Sequence, residues 1–392
     1  MPRIVIVRHD TETPSLYGAA AALVAAREGG RVFWPETKFD LSRYPDAVQH
    51  VTEDGALVPS GLIWTERLGL EAARPLAEMG LWSGCAVIPW HPAFESDSST
   101  VERLVEDGAK LRTVRLEGGK FVDWTRGEPG EVIGWRDRFG RVMAGEPGED
   151  SPKERSGLVF VIAGPEKQFT DVCPAPLAAL ADAIDSEAPG SDIRFVDPRQ
   201  FSAQDFDGVD GLLLPGGSEM SAVAGQVEMA RVARETGLPV LGLCLGMQSM
   251  CTAVARELPG WEDADMEEAA PASARHSFVR IETGEYRLGR RSARIASGTW
   301  LSRILGNETS ILCNHRYRLV PELHEALATR EVTVSALGGG PGQNIADAIE
   351  GQGGFYAGLQ GHPELSSYPG KPHPVIREFV AETRRQASQD NH

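Results

Sequence analysis

The stretch GLCLGMQSM, residues 242–250, holds one thiol between two glycines at the end of the apolar run LPVLGLCLG. Gly242-Leu243-Cys244-Leu245-Gly246 has the G-x-nucleophile-x-G form of a tight strand–turn–helix corner. The central residue of such a corner sits at a cramped backbone position. Glycines two residues to either side keep side chains out of the space where strand and helix nearly touch. The helix that follows aims its N-terminus at the sulfur, and its partial positive charge favours the reactive thiolate. A free cysteine is also a common small hydrophobe, so this stretch alone leaves nucleophile and core filler both open.

QGHPELSS, beginning at residue 360, adds an imidazole and a carboxylate. His362 and Glu364 are two apart, so on an extended segment they project to the same side. Pro363 between them fixes φ and stiffens the pair. An imidazole oriented by a carboxylate is what a thiol nucleophile needs beside it. LLLPGGSEM, residues 212–220, supplies a third part. Acyl transfer needs backbone N–H donors aimed at a developing oxyanion, and a glycine pair after a strand exposes its amides at no steric cost. The Gly217 and Leu245 amides are the candidates.

These residues need a frame. From residue 157 the pattern alternates: GLVFVIAG as strand, APLAALADAIDSEA as helix, DIRFVD and VDGLLLPGG as strands. GQVEMARVARETG then reads as a helix with a glycine stop, LPVLGLC as a strand and GMQSMCTAVARE as a helix. VTVSAL and GFYAGLQGHPE read as later strands, joined by the loop GGGPGQN. Short-spaced alternation predicts an α/β domain with a mostly parallel sheet covered by helices on both faces. Such sheets place their sites at the carboxyl ends of strands, where both glycine-rich turns fall.

Before that domain, RIVIV and GCAVIPWH read as strands, and LYGAAAALVAAREGG as a helix closed by glycine. STVERLVEDGAKL reads as a helix with Ser99 or Thr100 as N-cap. From Asp123 the chain turns polar and broken, with GEPGE occurring twice. The expected boundary lies near residue 150, giving a smaller N-terminal α/β domain over 1–150 and the alternating domain over 151–392.

Composition narrows the classes. The chain has 392 residues, 41% hydrophobic and 24% charged, with net charge −17. An acidic surface disfavours nucleic acid and anionic membranes as partners. No apolar stretch approaches the roughly 20 residues that span a bilayer. MPRIVIVRHD meets charge too early for a signal peptide, so the expected compartment is the cytoplasm. The five cysteines form no C-x-x-C pair, which argues against a disulfide framework and a structural zinc site.

The Cys244 corner, LPGG before it and GHPE after it together resemble the class I glutamine amidotransferases. The resemblance is strongest to the glutaminase domain of CTP synthase, over roughly residues 155–385. VARETGLPVLGLCLGMQ, LPGWEDADMEE, TGEYRLGRR, NHRYRL and HPELSSYPGKPHPVIREFV follow that family's blocks in order. The resemblance implies a flavodoxin-like fold and glutamine hydrolysis through a γ-glutamyl thioester on Cys244. His362 would be the general base and acid, and Glu364 would orient it. Gln248 and Glu268 fall where the family contacts glutamine, Glu268 suiting an α-ammonium. Arg316 is a candidate clamp for a carboxylate. The resemblance implies no cofactor and no metal. The chain departs from the family at Ser218, Glu219 and Met220, where a glycine and an aromatic follow PGG. It departs again at Leu312, Cys313 and Asn314, where arginine or histidine recurs.

The synthetase domain that precedes the glutaminase in CTP synthase is not recognisable, and no G-x-x-x-x-G-K-[ST] phosphate loop occurs. RIVIVRHDTET is superficially similar to the opening of histidine phosphatases, with Asp10 where those carry glycine. Without a second catalytic histidine motif, Arg8 and His9 read as a polar turn after a strand. The first domain is then an acceptor-binding, docking or purely structural unit. Two other functions share these residues: a stand-alone γ-glutamyl hydrolase, whose acceptor is water, and a catalytically idle docking subunit. The expected partners are L-glutamine and a separate ATP-dependent synthetase or a second copy of the chain.

Overall fold

The computed structural model describes residues 3–51, 55–94, 98–147, 156–282, 284, 286–339, 344–352 and 354–390. The expected boundary near residue 150, the middle of GGGPGQN, and Thr283 and Glu285 of TGEYRLGRR lie outside the described residues. The chain clusters into two compact units. The first comprises residues 1–50, 58–152 and 167–178, and the second 51–57, 153–166 and 179–392.

In the first unit β1 (Arg3–His9), α1 (Ala19–Glu28), β2 (Gly30–Trp34), β3 (Cys85–Trp90) and α2 (Ser98–Glu106) precede a run of strands. These are β4 (Lys110–Glu117), β5 (Lys120–Asp123), β6 (Val132–Arg136) and β7 (Val142–Ala144). They form one sheet in the order β7-β6-β5-β4-β1-β3-β2, with a short strand at Arg74–Pro75 on the far edge. β1 pairs parallel with both β3 and β4, and β4 through β7 pair antiparallel. Alternation along the strands sends Val5, Val7, Val32 and Val87 into a core with α1. Ile6, Phe33 and Ile88 go to the opposite core with Val101 of α2.

Three local expectations change here. The polar stretch after Asp123 contains two strands, β6 and β7, because Ile133 and Val142 are buried against the first core in spite of their flanks. Ser99 and Thr100 lie inside α2, which already begins at Ser98, so neither is the cap. Arg8 and His9 are the last residues of β1 and not a turn, since their pairing with β3 and β4 continues to that point.

The second unit contains β8 (Val159–Ala163), the bulk of α3 (Ala175–Glu187), β9 (Asp192–Val196), β10 (Gly211–Leu214), α4 (Val223–Thr236), β11 (Val240–Leu243) and α5 (Leu245–Ala255). β12 (Arg287–Ile295), β13 (Glu308–His315), β14 (Val332–Gly338), β15 (Ile345–Gly351), β16 (Tyr356–Leu359) and α6 (Pro374–Asp390) follow. The main sheet runs β9-β8-β10-β11-β16-β15-β14-β12-β13. Pairing is parallel from β9 to β16 and antiparallel from β16 onward. A small three-stranded sheet of Asp265–Met266, His276–Arg280 and Tyr317–Leu319 adds to it.

Strands buried on both faces read as continuous apolar runs, as VFVIA and GLLL do. Val161, Leu212, Leu214 and Val240 pack against Val227 and Ala230 of α4 and Met247, Met250 and Val254 of α5. On the other face Phe160 meets Phe379 of α6 edge-on, ring centres 5.8 Å apart. Gly237 ends α4 in the left-handed conformation at φ 70°. Among the described residues no helix is long and apolar enough to cross a membrane.

Candidate active site

β11 and β16 are parallel neighbours, with Leu243 opposite Leu359. Their carboxyl ends therefore deliver Cys244 and Gln360 side by side, and the Cys244 amide donates to the Leu359 carbonyl at 2.7 Å. Cys244 has φ 49° and ψ −108°, and α5 begins at the next residue. A non-glycine residue at positive φ is strained, and it persists only where its surroundings over-determine it. Here the surroundings are the two glycines. A Cβ on Gly246 would lie 2.0 Å from the Leu214 carbonyl oxygen, and one on Gly242 would lie 2.4 Å from Met250 Sδ. The corner thus closes only with glycine on both sides.

His362 follows β16, and its amide donates to the Leu312 carbonyl of β13 at 2.9 Å. Pro363 opens a short 3-10 turn, Pro363–Ser366, so His362 and Glu364 do not share an extended segment. A proline suits the first helical position, and the turn still brings the two side chains together. His362 Nδ1 and Glu364 Oε1 are 2.7 Å apart, both residues buried. A Cβ on Gly216 would lie 3.3 Å from Cys244 Cβ and 3.3 Å from His362 Cε1. That glycine therefore lines the gap between sulfur and imidazole, one residue ahead of Gly217.

The electrostatics of the pair follow from this packing. Burial acts to keep His362 neutral, but the Glu364 carboxylate and the Cys244 sulfur oppose it and hold the imidazole well above its usual range. Glu364 accepts from Nδ1, which leaves Nε2 for the Cys244 sulfur, a hydrogen-bond partner that also helps to raise the imidazole. The Leu245 amide is the first of α5, directly after the sulfur.

The expected substrate residues are placed as follows. Gln248 is buried on α5, and its Nε2 donates to Gln360 Oε1 at 3.3 Å. Glu268 is exposed, two residues past the short strand Asp265–Met266. The protein around it still removes enough water to raise its carboxyl, against the pull of Arg316 and Arg280. The Arg316 guanidinium is exposed and lies over the Tyr286 ring, 4.0 Å from its centre. Burial raises the Tyr286 phenol, Arg316 lowers it and Cys244 raises it, which links that ring to both neighbours. Its hydroxyl donates to Asn314 Oδ1.

Sequence reasoning missed Tyr286, Gln360 and a buried group behind the dyad. Arg287 donates to both oxygens of Asp347, at 2.5 and 3.1 Å, with both side chains almost fully buried. His315 donates from Nδ1 to the Tyr317 carbonyl at 2.9 Å and accepts at Nε2 from Arg287 at 3.2 Å. Burial and Arg287 push His315 down to about 3, and burial pushes Cys313 up to about 12. The ligand atoms of Cys313, His315 and Asp347 lie within 4.8 Å of one another. A guanidinium already occupies the lone pairs that a metal would need there. One signal for Gln360 was available in the sequence: a lone amide inside the apolar run FYAGLQG.

Residues 190–382 match the family model described as glutamine amidotransferase class-I. The matched segment contains Cys244, His362 and Glu364. A CTP synthase of Thermus thermophilus is 33% identical over 334 residues, covering 80% of this chain and 58% of that protein. A CTP synthase of Frankia casuarinae is 33% identical over 226 residues, covering 52% and 36%. One of Hyphomonas neptunium is 32% identical over 219 residues, covering 50% and 40%. The chain thus spans about half the length of the curated relatives it matches. The Trypanosoma brucei CTPS glutaminase domain, solved with bound acivicin, superposes with a TM-score of 0.55 at 23% identity. It covers 58% of this chain and 94% of that domain, a likeness of fold.

Proposed function

We propose that the matched segment is a class I glutamine amidotransferase domain that hydrolyses L-glutamine to glutamate and ammonia, with Cys244 as nucleophile, and passes the ammonia to an acceptor. The observation that carries this reading is Cys244, strained at φ 49° at a strand end, facing an imidazole that a buried carboxylate orients. The Cys244 thiol gives its proton to His362 as the sulfur attacks the γ-carbonyl carbon of glutamine, and the Gly217 and Leu245 amides receive the oxyanion. His362 then gives a proton to the departing nitrogen, so ammonia leaves and a γ-glutamyl thioester remains on Cys244. A water molecule loses a proton to His362 and attacks the thioester. Glutamate departs, and the sulfur is restored. Glu364 holds the ring so that Nε2 faces the sulfur throughout. Gln248, Glu268 and Arg316 bind the amino-acid end, Arg316 taking the α-carboxylate and Glu268 the α-ammonium. The CTP synthase relatives suggest an acceptor that an ATP-dependent synthetase activates, on this chain's first unit or on a separate protein.

The test is glutamine turnover by the full chain, alone and with nucleotides or lysate fractions. Turnover lost in Cys244→Ala and stimulated by an added synthetase supports the reading. Equal or faster cleavage of γ-glutamyl peptides would replace it with a γ-glutamyl hydrolase, and wild-type inactivity towards both would leave a docking subunit.

A further inference from the structure

Gln360 is a primary amide with no exposed surface, set between β16 and the GHPE turn in an otherwise apolar run. Burying an amide is unfavourable unless its donors and acceptor are met. Its partners show where it is aimed. Nε2 donates to Cys244 Sγ at 3.7 Å, and Oε1 accepts from Gln248 Nε2 at 3.3 Å. Its backbone amide is fixed by the Asp347 carbonyl at 2.9 Å. Turning the amide over would set an oxygen lone pair against the sulfur and two NH2 groups against each other. In this arrangement the donors run from Gln248 through Gln360 to the sulfur, the sense that a thiolate, which can only accept, requires. Gln248 is held in turn on α5, the helix that starts at the sulfur, and its backbone amide donates to the Cys244 carbonyl at 3.1 Å.

We propose that Gln360 is a catalytic residue of this site, a second hydrogen-bond donor on the Cys244 sulfur that favours the thiolate and ties the nucleophile to Gln248. A donor to an anionic sulfur is worth more than the same donor to a neutral thiol, so the amide shifts the balance toward the thiolate. Histidine-to-cysteine coupling accounts for one side of the sulfur, and Gln360 covers another. Because Gln248 is proposed to touch the substrate, Gln360 also makes the position of that side chain felt at the nucleophile. The inference rests on the glutaminase reading only in taking Cys244 as the reacting group.

The experiment follows alkylation of Cys244 by iodoacetamide against pH, resolved by mass spectrometry on the full chain, with glutamine turnover measured in parallel. In Gln360→Met the pH of half-maximal alkylation moves up by about one unit, leaving roughly tenfold less thiolate at a given lower pH. Gln360→Glu moves it further, because a carboxylate repels the thiolate. Gln248→Leu moves it the same way by less, since the Gln360 amide then loses its anchor. An unchanged midpoint in folded Gln360→Met overturns the inference, even if turnover falls. Should that variant not fold, unchanged midpoints in both Gln360→Glu and Gln248→Leu overturn it. A shifted midpoint in a protein that consumes no glutamine would sustain the inference and reject the glutaminase reading.

Discussion

β1 of the first unit ends on His9, and β11 of the second leads into Cys244; both are interior strands of parallel stretches, each with a histidine nearby. The environments differ. His9 is 3% exposed, and its Nδ1 meets the Thr11 hydroxyl at 2.8 Å, a neutral partner. Its ring packs on Tyr17 at 5.6 Å and on His91 at 5.2 Å. Burial, with His91 adding to it, pushes His9 down to about 3. His362 is as deeply buried, yet Glu364 and the Cys244 sulfur drive it upward. Equal burial thus gives an inert imidazole in one unit and a chargeable one in the other. What separates them is a carboxylate on Nδ1 and a sulfur held on a strained corner.

That contrast can be broken in several ways. The largest effect belongs to Cys244→Ala, which lowers glutamine turnover by about 10³-fold or more. His91→Gln in the first unit leaves turnover within about threefold. A reversed ranking in a steady-state assay would move the active centre to the first unit. Next, Glu364→Gln keeps the geometry but removes the charge on Nδ1, and kcat falls by roughly 10²–10⁴-fold with KM little changed. An unaltered pH–rate profile in that variant would show the carboxylate to be structural only.

Glycines sharpen the same comparison on stability. Gly246→Ala at the corner drives a Cβ onto the Leu214 carbonyl and costs roughly 2–4 kcal/mol in urea unfolding. Gly118→Ala in the first unit meets no atom within 4 Å at φ 55°, so it costs only about 1 kcal/mol. Acid supplies the broadest effect, spread over several pH units. His9 and His315 are held at about 3 in the folded chain, against an ordinary 6.5. The unfolded chain therefore binds their protons first. Stability is full above pH 6.5 and falls as pH drops toward 3, by up to about 1.4 kcal/mol per unit for each histidine. His9→Phe flattens that slope in pH-dependent urea unfolding.

Much of this contrast was legible before any coordinates. GLCLG declares its corner, because the glycines are demanded by backbone contacts two residues from the thiol. GHPE declares the dyad by spacing, although proline makes the connection through a short turn. The alternation from residue 157 reads as α/β because the inner strands β8, β10 and β11 are buried on both faces. The rest depends on distant packing. Tyr286 reaches Arg316 only once β12 and β13 pair, and Arg287 meets Asp347 across sixty positions of sequence. β6 and β7 are hidden among GEPGE segments because one buried side chain in each, Ile133 and Val142, outweighs polar neighbours. His9, in an opening superficially similar to that of histidine phosphatases, becomes packing in the fold.

The central claim is a sulfur that takes on the γ-glutamyl group while His362 passes the proton. Rapid mixing with glutamine, acid quenching and mass analysis of the peptide that carries Cys244 test it most directly. A γ-glutamyl adduct on Cys244 that accumulates in His362→Gln or turns over quickly in the native chain is the predicted result. Full glutamine consumption with no adduct at that position, and undiminished in Cys244→Ala, would contradict it.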